Sequence, residues 1–177
     1  DTLLFCQSAR QIAEGMPYVF TPGDRPSTGS TSHLYPFVLA VLYKAGATGD
    51  ALLTAGFVLN ALFYLVFLAN WGLIVGRLAS SPRAKAAACV LLVLNGHAAY
   101  GALSQSDVGL FMAVSSGIFA ALLAGRLGWL AALLALSPWC RPEGAMLAVL
   151  YAGALIVRRA LLRQRVLRGE WLAGGMH

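Results

Sequence analysis

The stretch ALLTAGFVLNALFYLVFLANWGLIVG, from Ala51 to Gly76, contains twenty-six residues and no charge. A helix rises about 1.5 Å per residue, so this one runs about 39 Å and can cross a hydrocarbon core of about 30 Å with tilt. Further along, Ala86–Ser106 and Val108–Gly125 are two more charge-free runs. Leu127–Val157 is apolar apart from Arg141-Pro142-Glu143-Gly144 near its middle. Apolar residues make up 59% of the chain and charged ones 11%, against about 25% in soluble domains. The expected fold class is therefore all-α: a polytopic membrane helix bundle.

The first 46 residues read differently. Phe5, Ala9, Ile12, Ala13 and Met16 recur at helical spacing opposite Gln7, Arg10, Gln11 and Glu14, which predicts an amphipathic helix lying at an interface. Gly15 and Pro17 mark its end. After the polar stretch PGDRPSTGSTSH comes His33–Ala45, interrupted by Pro36 and Lys44. Its thirteen residues reach only about 20 Å, so it reads as a second interfacial helix.

Orientation follows from the cations. Arg77, Arg83, Lys85 and Arg126 flank two loops, and Arg158, Arg159, Arg163, Arg165 and Arg168 form a polybasic end. Placing all nine in the cytoplasm puts the opening segment, the LSQSD turn around Asp107 and the Arg141–Gly144 turn together on the opposite face. Each half flanking that last turn is about 21 Å long, so the turn is expected to sit below the outer surface, lining a cavity.

Several polar residues carry two readings each. Asp1 is an N-cap for the first helix or a base at the membrane surface. Asp107 is a cap for the helix beginning at Val108 or a ligand-positioning group, and Arg141 and Glu143 are an ion pair closing a hairpin or a functional pair at depth. His33 is a proton donor or acceptor at the end of the loop or simply hydrogen-bonds at the interface, and His97 reads as an interhelical hydrogen-bonding group. Cys6, Cys89 and Cys140 read as small apolar fillers. The chain has no HExxH, GxSxG, phosphate-binding loop, dinucleotide turn or zinc spacing.

Taken in order, DTLLFCQSARQIAEG, MPYVFTPGDRP, STGSTSHLYPFVLAVLYKAG, the polar SQSD turn and RPEGAMLAVLYAGALIVRR resemble the N-terminal half of a bacterial GT-C glycosyltransferase that uses a polyprenyl-phosphate sugar. Ala13-Glu14-Gly15, Tyr18–Gly23, Gly29–Tyr35 and Arg141–Gly144 carry the likeness; Arg10 is displaced, and the acidic pair of that family is represented by Asp1 alone. The resemblance implies inverting transfer of a sugar from the lipid phosphate to a hydroxyl of a glycan, lipid or protein acceptor. It implies Asp1 as general base, Arg141 and Arg25 on the donor phosphate, and Asp107, Glu143, His33, Ser32 and Tyr35 orienting substrate. It implies no nucleotide and no obligatory cofactor, in a multi-pass protein of the bacterial inner membrane with its site facing the periplasm. Some relatives of this broad fold bind a divalent metal, but no residue here is predicted to hold one. The clustering of basic residues beside apolar spans speaks against a nucleic-acid partner.

The corresponding layout is one domain over 1–177, with a first outer loop at 1–46, membrane helices at 51–76, 86–106, 107–125, 127–140 and 143–158, and a basic cytoplasmic segment at 159–177. A first span and a C-terminal part are expected to lie outside the chain. A transporter or channel fragment, with Asp107, Arg141 and Glu143 lining a pathway, is the alternative from another class. A third reading is a non-catalytic assembly segment packed through small residues.

Overall fold

The computed structural model describes residues 2–21, 23, 25 and 31–156, and every regular element among them is a helix. In chain order these are α1 (Thr2–Ala13), α2 (Leu34–Lys44), α3 (Asp50–Leu78), α4 (Pro82–Val93), α5 (Gly96–Leu103), α6 (Asp107–Leu123), α7 (Leu127–Cys140) and α8 (Glu143–Ile156). Asp1 and the basic segment 159–177 lie outside the described residues.

Local sequence explains most of the boundaries. α1 ends in a Schellman turn: Gly15 takes φ +88°, its N–H donates to Ile12 O, and Met16 N–H donates to Gln11 O. α4 begins where the Ser81 hydroxyl accepts Ala84 N–H with Pro82 in the first turn. α6 ends at Gly125, whose φ of +68° turns the chain so that Arg126 opens α7.

The expected bundle of complete membrane spans is not what forms. Among the described residues only α3, with 29 residues, is long and apolar enough to cross a membrane; counting the bent pair α4–α5 as one would make two. The charge-free run 86–106 is not one helix. It breaks at Asn95, whose side-chain oxygen caps a new helix by accepting Ala98 N–H, and the two pieces meet at 51°. A charge count is blind to such a cap. α6, α7 and α8 have 10–17 residues, or at most about 26 Å, short of a core of about 30 Å. The chain is instead an all-α bundle held by extensive helix–helix packing.

α1 is part of that packing rather than a free interfacial helix. Phe5, Ala9 and Gln11 are buried, and the Phe5 ring meets Tyr35 of α2 edge-on at 5.1 Å. The core continues through Leu39, Leu110, Val114, Ile118, Leu130 and Cys140. α3 and α6 run parallel, joined by polar rungs. Asn70 Nδ2 donates to Ala113 O (3.2 Å) and Ser116 Oγ (3.1 Å), and Arg77 donates to Leu123 O (2.7 Å). Near the other end, Asn60 donates to the Tyr35 hydroxyl and to Gly56 O, and it faces Gly109, where a Cβ would collide with its amide.

Much of the exterior is apolar. α4 buries none of its residues, and only 17% of the most apolar window of α3 is buried, so α3 is not enclosed as a core helix. Val90, Leu91, Val93 and Leu94 are all exposed. Contiguous apolar surface of this kind marks contact with another protein or with lipid.

Candidate functional site

The polar elements meet at the end of the bundle where α6 begins. Ser106 caps α6 by accepting Val108 N–H at 3.4 Å, which sets Asp107 in the first turn, favourable for a carboxylate. Asp107 is buried, at 4% exposure. Its Oδ2 accepts the Thr31 hydroxyl at 3.1 Å and lies 3.4 Å from Arg141 Nε.

Arg141 reaches this spot because α7 ends at Cys140 and the chain turns extended there, with φ −157° and ψ 149°. Ser137 holds the turn: its carbonyl accepts Arg141 N–H (3.1 Å), and its hydroxyl donates to Gly144 O (3.0 Å). Gly144 has to be glycine, since a Cβ would run into the Ser137 carbonyl. The start of α8 therefore lies hard against the end of α7.

Glu143 Oε2 sits 3.6 Å from the same Arg141 Nε. Neither ion-pair contact is a hydrogen bond, and Arg141 Nε is buried without a hydrogen-bond acceptor. The guanidinium is thus held by charge between two carboxylates while one buried N–H remains unspent. Buried donors nearly always have an acceptor, so this one needs an explanation.

Beside the ion cluster lies an aromatic surface. His33 donates its backbone N–H to Trp139 O (3.1 Å), satisfying a carbonyl at the end of α7. Its ring lies 6.2 Å from Trp139 and 6.0 Å from Tyr18, which in turn lies 6.5 Å from Phe37. Trp139 and Tyr18 are exposed. Tyr18 is also held at φ +66°, a left-handed conformation that costs a non-glycine residue about 1–2 kcal/mol.

Of the residues singled out in the sequence, Asp107, Arg141, Glu143, His33 and Ser32 come together here. Ser32 is buried, with its hydroxyl accepting Tyr35 N–H at 3.1 Å and donating to Trp139 O at 3.5 Å, so it fixes the start of α2. Tyr35 is a core residue, fully buried, and burial pushes its phenol up to about 12. Glu143 is exposed, so the Arg-Pro-Glu-Gly turn is not sunk as a whole; only Arg141 and Asp107 are drawn in. Arg25 is exposed and makes no hydrogen bond or ion pair among the described residues. His97 is exposed at the start of α5 rather than bonded between helices.

Thr31, Tyr18 and Trp139 were not legible as site residues. Tyr18 and Thr31 lie within the stretches that carry the likeness but nothing singles them out there, and Trp139 gives only an aromatic signal in apolar surroundings.

The glycosyltransferase expectation falls with its scaffold. A lipid-phosphate sugar transferase of the expected kind needs a set of complete spans, and the helices among the described residues supply one, or two with the bent pair. The multi-pass inner-membrane location falls for the same reason, and so does the transporter alternative, whose pathway would run between such spans. Among the described residues no three His, Cys, Asp or Glu side chains are grouped to hold a metal ion. The chain matches no protein-family model and has no significant match among curated proteins or solved structures.

Proposed function

We propose that the chain is a binding module for a hydroxyl-rich ligand, a glycan or the sugar headgroup of a lipid, held non-covalently at the Asp107–Arg141 corner. The observation that carries the reading is the unspent Arg141 Nε–H between two carboxylates at 3.4 and 3.6 Å. A sugar hydroxyl both donates and accepts, so one that displaces the exposed Glu143 side chain can take that N–H and give its own proton to Asp107. An anion is less well served, since the cluster of one guanidinium and two carboxylates is net negative. The exposed Trp139 and Tyr18 rings offer flat apolar faces for the C–H side of a sugar, the mixture of aromatic lining and few polar groups usual in ligand sites. The likeness of Gly29–Tyr35 and Arg141–Gly144 to sugar-transferase motifs supports the same ligand class without the reaction.

The test is a titration of the purified chain, in a detergent without a sugar headgroup, with a panel of methyl hexosides and pentosides, followed by tryptophan fluorescence. At least one glycoside is expected to bind saturably. Arg141→Lys, which keeps the charge but loses the Nε–H, should weaken it by about tenfold or more. Absence of binding across the panel, or equal affinity in Arg141→Lys, would sink the proposal.

A further inference from the structure

A second site lies at the far end of α6, about 24 Å from Asp107 along the helix axis. Between α3, α6 and α7 runs a cavity of about 500 Å³, within the size range of small-molecule sites. Its wall is apolar from Phe63 and Leu110 onward except for Asn70, whose Nδ2 is bonded to Ala113 O and Ser116 Oγ, and small residues, Gly117 and Ala120 among them, let α6 form a shallow floor. Arg77 and Arg126 stand at one end, with Trp129 on the α7 side, and none of the lining residues is acidic.

The two arginines are exposed, and they are fixed there by different means. Arg77 is tethered by its hydrogen bond to Leu123 O, which occupies one of its five N–H donors. Arg126 is the residue from which α7 begins, and no side chain caps that helix. The positive end of the α7 dipole therefore adds to the two guanidinium charges. From Phe63 to Arg77 the groove follows α3 for about 21 Å. Half a hydrocarbon core is about 15 Å, the reach of one acyl chain, so the groove accommodates a chain and brings its headgroup to the arginines.

We propose that this groove binds one acyl chain of a phosphate-bearing lipid, with the phosphate held between Arg77 and Arg126. Arginine forks match phosphate geometry, and the uncompensated positive end gives the groove its polarity. Exposed Leu73 and Trp129 form the open side, through which a chain enters laterally. The site is independent of the sugar-binding reading, because it shares no residue with the Asp107 corner.

The experiment uses the full chain in a neutral polyoxyethylene detergent, with monooleoyl lysophosphatidic acid as probe. Binding is read by thermal melting and native mass spectrometry. One bound lipid per chain is expected, with monooleoylglycerol at least about tenfold weaker and inorganic phosphate ineffective at the same concentration. Arg126→Gln, which leaves the Arg77 tether intact, should weaken binding about tenfold. Ala120→Leu, which fills the floor, should abolish binding while the circular dichroism of the unliganded chain is unchanged. Equal affinity for the neutral lipid, equal affinity in Arg126→Gln, competition by inorganic phosphate alone, or a lipid-free dimer disrupted by Ala120→Leu would each overturn the proposal.

Discussion

The ion pair at the start of α6 makes a sharp energetic prediction. Asp107 and Arg141 are 3.4 Å apart, which in a medium of effective dielectric about 20 corresponds to a gross attraction of about 5 kcal/mol. Most of that is offset by removing the Asp107 side chain, 5% exposed, from water. Removing one partner of a fully buried pair costs about 3–5 kcal/mol. Here Arg141 is 26% exposed and Glu143 still faces it, so Asp107→Asn should cost about 2 kcal/mol. In a chain of this length that lowers the melting temperature by about 4–8 °C. The assay is a double-mutant cycle with Arg141→Met, by thermal or denaturant unfolding in mild detergent. Without Arg141 the Asp107 carboxylate is buried and unpaired, so Asp107→Asn should become neutral or stabilising in that background. A coupling near 2 kcal/mol is expected. An identical cost of Asp107→Asn in both backgrounds would refute the argument, leaving Asp107 as a first-turn carboxylate favoured by the α6 dipole only, the cap being Ser106.

Three further outcomes follow from the packing. Gly109→Ala places a Cβ into Asn60 and against Ala102 O, 3.0 Å away, and should cost about 1–3 kcal/mol, partly recovered by Asn60→Ser, in the same unfolding assay. Tyr35 is held at about 12 in the folded chain against about 10 unfolded, so its contribution is complete below pH 10 and is lost as pH rises through 12. The stability lost over that window should be about 2–3 kcal/mol and absent in Tyr35→Phe, measured by unfolding at increasing pH. Among the thiols, exposed Cys89 should react first with maleimide. Half-buried Cys6 should follow, and Cys140, buried and pushed up to about 11, should react last; faster labelling of Cys140 than of Cys89 would contradict the packing of α7.

The sequence was most informative where charge asymmetry carried the information. Cations at Arg77 and Arg126 against polar turns at Asp107 and Arg141 place those turns at one end, and the Thr31–Asp107–Arg141 cluster is where they meet. Gly15 announced the end of α1 because no other residue takes its φ at so little cost. Hydropathy alone misled. A charge-free run records what a segment can be buried in, not whether it is one helix, and the cap at Asn95 divides 86–106 in two. Asn60 and Asn70 lie in the run 51–76, which reads only by its lack of charge, and are the rungs joining α3 to α2 and α6. Tyr35 stood beside functional-looking hydroxyls, yet its ring fills the core; neighbouring residues on a helix point different ways, and only packing shows which faces the ligand.

The measurement that bears most directly on the Asp107–Arg141 corner is nuclear magnetic resonance of the arginine Nε–H groups, assigned by Arg141→Lys. With no sugar present, the Arg141 Nε–H signal should sit at a position typical of a donor without a close acceptor. Addition of the glycoside that quenches tryptophan fluorescence should shift that signal and slow its exchange with water, while Arg77 and Arg126 stay unmoved. An Arg141 signal indifferent to every glycoside that binds the chain would contradict the assignment of this corner as the ligand site.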